Sequence, residues 1–87
     1  MPAIDSTVSL ATGVETRYRL MQTMIDMAKL SRREHEALTY LIQGLSNREI
    51  AASLGISTNT VNKHVHQIFA KLGVRNRVEA TTRALIL

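Results

Sequence analysis

The sequence contains no cysteine, one proline (Pro2) and only three aromatic residues, Tyr18, Tyr40 and Phe69. Without cysteine, disulfides and thiolate metal sites are excluded, and nothing calls for an oxidising compartment. Without proline after position 2, nothing of that kind breaks a helix. No apolar run approaches the ~20 residues of a membrane span. Met1 to Thr12 has neither the basic start nor the apolar stretch of a secretory signal. There is no HExxH, no glycine-rich phosphate loop and no nucleophile elbow. His64 and His66 lie two apart and diverge on a helix, and His35 has no ligand at i+4, so no metal site is expected. Neither an enzyme nor a cofactor is expected of this chain, and a cytoplasmic location is.

What is present is mostly aliphatic and basic. The formal charge of +4 is carried by one part of the chain. Up to residue 30, Arg17, Arg19 and Lys29 balance Asp5, Glu15 and Asp26; the eight Lys and Arg after that face only four Glu. A basic segment of this kind suits a polyanionic partner.

The glutamates mark helix starts. Four of the five sit three residues after a capping residue: Thr12/Glu15, Ser31/Glu34, Ser46/Glu49 and Asn76/Glu79. That is the capping-box spacing, in which each side chain satisfies the other's free backbone N–H. Ser57 is a further cap without a glutamate. Gly44, Gly55 and Gly73 mark helix ends, each followed by an apolar residue (Leu45, Ile56, Val74) able to fold back. The prediction is five helices near 13–29, 32–43, 47–54, 58–72 and 77–86, with no strand.

Periodicity assigns the core. Leu38, Leu41 and Ile42 face inward from the second helix, and Ile50, Ala51 and Leu54 from the third. Val61, Val65, Ile68 and Leu72 do so from the fourth, and Ala80, Ala84 and Leu85 from the last. Within Asn47–His66, Ala51, Gly55 and Val61 stand at relative positions 5, 9 and 15, the steric skeleton of a helix-turn-helix. A small residue permits close crossing, a glycine permits the sharp turn, and a valine points back onto the first helix. The outer face of the second helix then carries Asn62, Lys63 and His66, side-chain types that read base edges in a major groove.

Residues 1–29 form a separate arm. Val14, Tyr18, Met21, Ile25 and Ala28 recur at heptad spacing, with Leu20, Met24 and Met27 alongside. So wide an apolar arc must be buried, either on the arm's own domain or against a second copy. The expected architecture is therefore all-α: a four-helix bundle over 30–87 with its helix-turn-helix at 47–66, preceded by an amphipathic helix.

Residues 30–80, with LSRREHEAL, then GLSNREIA, then LGIS and TV, then KLGV and NR-EA in order and without a gap, resemble the LuxR/FixJ/GerE-type DNA-binding domain. The resemblance implies a response-regulator or quorum-sensing output module: a four-helix domain that binds double-stranded DNA as a dimer with its third helix in the major groove. It implies base contacts from Asn62, Lys63 and His66. Phosphate contacts are expected from Arg48, Thr58, Asn59, Thr60, Lys71, Arg75 and Arg77. Arg32 and Arg33 are read as solvated beside Glu34 and Glu36, Arg83 as surface, and His64 as packed or phosphate-facing. RNA polymerase or another regulator is a further partner class. Proteins of this type carry a receiver or ligand-binding domain ahead of the module. Only thirty residues precede it here, so the chain reads as an excised output domain or a short stand-alone regulator, and control by phosphorylation or an acyl-homoserine lactone is not carried over. A sigma-factor region is the rival DNA-binding reading, opposed by the turn and capped helix of Lys71–Glu79. A module that dimerises with a full-length regulator and modulates it is the rival from another class.

Overall fold

Ser31, Ser46 and Ser57 start three of the helices as side-chain caps. Ser31 and Glu34 exchange bonds of 3.1 and 2.8 Å, and Ser46 and Glu49 bonds of 3.2 and 2.9 Å, which completes both capping boxes. The Ser57 hydroxyl accepts from the Thr60 N–H at 3.1 Å. The computed structural model describes residues 2–85, with side chains from residue 13 onward. Its elements are α1 (Pro2–Ala28), α2 (Arg32–Ile42), α3 (Asn47–Leu54), α4 (Thr58–Leu72) and α5 (Arg77–Leu85), with no strand among the described residues.

Two predicted caps differ. Helix α1 begins at Pro2, so the Thr12/Glu15 pair lies inside it and does not mark a helix start. Proline is well tolerated in a first helical turn, and Gly13 costs only ~1 kcal/mol in a helix interior, too little to end one. At α5, Asn76 does accept from the Glu79 N–H at 2.9 Å, but the Glu79 carboxylate returns to the Arg75 N–H at 3.2 Å, one residue further back than a capping box requires.

The helix ends follow one scheme. The N–H groups of Leu45, Ile56 and Val74 bond back to the carbonyls of Tyr40, Ala51 and Phe69 at 3.2, 3.1 and 3.0 Å. These six-to-one bonds close each end, and the three apolar side chains pack on the core as they fold back. At Gly55, φ is +68°, and an added Cβ would meet nothing within 4 Å. The glycine is needed there for its backbone conformation and not for space.

Leu38, Leu41, Ile50, Ala51, Val61, Val65, Ile68, Leu72 and Ala80 are buried as expected, joined by Leu30 and Ala37. Ile42, Leu54 and Ala84 are partly buried against them. Leu85 is instead 68% exposed. Helix α4 is the hub, packing on α1, α2, α3 and α5.

Helix α1 packs Met27 of its second stripe against the core but does not bury its heptad seam within this chain. Val14, Tyr18, Met21, Met24 and Ile25 are exposed, while Thr23 and Asp26 are buried with Leu30 beyond them. The reason is Arg83. Its Nε donates to Thr23 Oγ1 at 3.1 Å, one terminal nitrogen donates to Asp26 Oδ2 at 2.7 Å, and the other to the Leu72 carbonyl at the end of α4. A buried carboxylate needs a charged partner, and Arg83 at 2.7 Å, with Lys29 at 3.4 Å, supplies it where the polar face of α1 is turned inward. The heptad seam lies on roughly the opposite side of that helix. Arg83 is thus a structural clasp and not the free surface residue its sequence position suggests.

Candidate nucleic-acid interface

The turn at Gly55 and the cap at Ser57 set α4 across α3. Because Val61, Val65, Ile68 and Leu72 are buried, the opposite arc is presented outward, and Asn62, Lys63 and His66 are all exposed on it. Thr58 and Asn59 occupy its first turn and are exposed; Thr60 is half-buried, its hydroxyl 2.8 Å from that of Ser57. The Ser57 cap engages the N–H of Thr60 and leaves those of Thr58 and Asn59 without a capping side chain. A helix start of this kind carries partial positive charge and free donors, both suited to a phosphate.

The predicted cations divide into two groups. Arg48 and Arg75 are exposed, and their side chains have no ion pair among the described residues. Lys71 and Arg77 have internal partners. The Lys71 ammonium donates to Glu34 Oε1 at 2.7 Å. Glu34 is buried and accepts the Ser31 N–H on the same oxygen. Burial works to raise its pKa. The Lys71 hydrogen bond, the Ser31 N–H, the Lys71 charge and the Ser31 hydroxyl together outweigh burial and hold the carboxyl below its ordinary value. The exposed Glu49 is also lowered, by the backbone N–H and then the hydroxyl of Ser46.

Arg77 donates to the Leu45 carbonyl at 2.6 Å and to Asn47 Oδ1. Asn47 Nδ2 in turn donates to Asn62 Oδ1 at 2.8 Å. The start of α5, the turn after α2, the start of α3 and the outer face of α4 are therefore joined in one hydrogen-bonded chain. Neither this chain nor the Glu34–Lys71 pair was read from the sequence. Arg77 was visible as a cation, but its partners lie 30 and 32 residues away.

Arg33 pairs with Glu36 at 2.8 Å and Arg32 with the same carboxylate at 3.6 Å, as solvated surface pairs do. His64 is half-buried, and its Nδ1 is enclosed without a hydrogen-bond partner, which places it in the packing of the bundle. No group of side chains suited to holding a metal ion is found among the described residues. No helix there is long and apolar enough to cross a membrane.

These features define a helix-turn-helix whose second helix offers a polar outer face. The profile of the family described as bacterial regulatory proteins, luxR family, matches residues 28–84. The chain belongs to this family. It is 46% identical over 67 residues to the CsgBAC operon transcriptional regulatory protein of Escherichia coli, covering 77% of this chain and 30% of that protein. It is 50% identical over 52 residues to the nitrate/nitrite response regulator NarP of E. coli, covering 60% and 24% respectively. Among solved structures, the response regulator StyR matches with a TM-score of 0.75 and 32% identity over 92% of this chain and 39% of that one. The chain spans less than two fifths of the length of each of these relatives.

Proposed function

We propose that this chain is a sequence-specific, double-stranded DNA-binding regulator of transcription that works with α4 in the major groove. The observation carrying this reading is the two-sided character of α4: four apolar residues buried on one side, and Asn62, Lys63 and His66 exposed on the other. Each good base contact from that face is worth ~1–3 kcal/mol of discrimination. Thr58, Asn59 and Thr60 receive a phosphate at the helix start, and Arg48 and Arg75 neutralise its neighbours. Lys71 and Arg77 serve through the frame they hold, with their remaining donors available to the same backbone. Regulation and not catalysis is what the family description and the names of the relatives support. A cytoplasmic location beside the nucleoid follows from the proposed partner.

The working unit is a homodimer, so its operator has two half-sites. The exposed seam of α1 supplies the contact. Its spacing suits a second helix, it faces away from its own bundle, and Val78 continues the apolar surface across the groove between α1 and α5.

Site selection from a random duplex pool, followed by binding at several salt concentrations, tests the reading. An enriched motif with affinity falling steeply as salt rises is expected. Arg48→Ala should lower the salt slope by ~0.9 while keeping the motif. The same seam favours a second reading, a module that pairs with a larger regulator or with RNA polymerase. A protein that shifts no duplex at low salt but captures a full-length regulator would establish that one.

A further inference from the structure

Asn62 is the one base-reading candidate whose side chain has a partner among the described residues, and the direction of that bond can be deduced. A carboxamide has an accepting oxygen and a donating nitrogen, and the two ends are easily confused. An arginine has no such ambiguity, because a guanidinium only donates. Arg77 is held by the Leu45 carbonyl at 2.6 Å and meets the Asn47 carboxamide. The atom of Asn47 that faces Arg77 must therefore be its oxygen. The Asn47 nitrogen then points the other way, towards Asn62, 2.8 Å from its nearest carboxamide atom. That atom must accept, so it is the Asn62 oxygen, and the amino group of Asn62 is left to face outward.

We propose that Arg77, acting through Asn47, fixes the polarity of Asn62, so that it reads guanine and not adenine in the major groove. The inference rests on the DNA-binding reading above. A free asparagine pairs with adenine by accepting from N6 and donating to N7. Here the oxygen already accepts from Asn47, and the amino group is the end left for a base. Guanine presents two acceptors, O6 and N7, in that groove, whereas adenine would set its N6 amino group against that of Asn62. Arg77 and Asn47 are positioning residues in this scheme, and neither needs to touch a base.

Asn47→Asp tests this with almost no change of shape. Aspartate still accepts from Arg77, but it cannot donate to Asn62 and instead accepts from it. The Asn62 carboxamide must then turn over and face the groove with its oxygen. Motifs are selected for wild type, Asn62→Ala and Asn47→Asp, with helicity and melting measured for each. Asn62→Ala identifies the base position that depends on Asn62. At that position wild type should prefer guanine over adenine by about tenfold. Asn47→Asp should abolish that preference or move it to adenine or cytosine, whose amino groups donate, with the other positions unchanged. Asn47→Ala, which frees the carboxamide without imposing a direction, should merely flatten the preference. Adenine at this position in wild type would overturn the inference, as would an unaltered guanine preference in a folded Asn47→Asp protein. Failure of wild type to select any motif would instead sink the DNA-binding reading on which it stands.

Discussion

Helix α4 turns Val61, Val65, Ile68 and Leu72 inward and Asn62, Lys63 and His66 outward, whereas α1 turns Thr23 and Asp26 inward and Tyr18, Met21 and Ile25 outward. Both helices are amphipathic, yet only one buries its apolar stripe in its own chain. The difference lies in what each is packed against. Helix α4 sits among the apolar faces of α2, α3 and α5. Helix α1 meets the end of α4 and Arg83, whose guanidinium joins the Leu72 carbonyl to Thr23 and Asp26. An apolar stripe shows that a face needs cover. It does not say whether the cover comes from the same chain.

That contrast predicts a gradient of stability effects. Ile68→Ala, in the fully buried stripe of α4, should cost ~2–5 kcal/mol in urea unfolding. A loss under 1 kcal/mol would mean that α4 is not the hub of the core.

Lys71→Met should cost about 2 kcal/mol, because it leaves the buried Glu34 carboxylate without its cation. This pair also sets a pH dependence. The folded-state pKa of Glu34 lies below its ordinary, unfolded-state value. Its contribution is therefore fully present above that value and is lost as pH falls through the folded pKa. Unfolding measured from pH 7 to pH 3 should show wild type losing more stability on acidification than Lys71→Met does. Equal losses would remove Glu34 as the cause.

Arg83→Met should cost ~1–2 kcal/mol by unclasping Thr23, Asp26 and the Leu72 carbonyl. Amide exchange should speed up along residues 19–29 while α2, α3 and α4 keep their protection. Uniform loss of protection would show that α1 and the bundle unfold as one unit.

Ile25→Ser, on the seam, should change monomer stability by no more than ~0.5 kcal/mol. Its effect should appear in association, as a shift from dimer to monomer in sedimentation. An unchanged dimer would move the proposed interface elsewhere.

Local signals made the bundle readable. Ser31/Glu34, Ser46/Glu49 and Ser57 fix helix starts within four residues of chain, and Gly55 fixes the turn through its own backbone, so α3 and α4 begin and end where the sequence places them. The outer face of α4 followed from its inner one. What escaped was long-range and polar. Arg83 meets Asp26 across 57 residues, Lys71 meets Glu34 across 37, and Arg77 meets Asn47 across 30. Nothing in a one-dimensional spacing distinguishes a cation that clasps a buried carboxylate from one left in water. Glu34 was readable as a cap partner but not as a buried anion, since the same carboxylate oxygen does both tasks.

The central claim is that the outer face of α4 reads sequence. Selection of bound duplexes with wild type and with the Asn62→Ala, Lys63→Ala, His66→Ala triple variant tests it most directly. Wild type should enrich a defined motif, and the triple variant should bind DNA with a similar dependence on salt but enrich none. The same motif emerging from both proteins would contradict the claim.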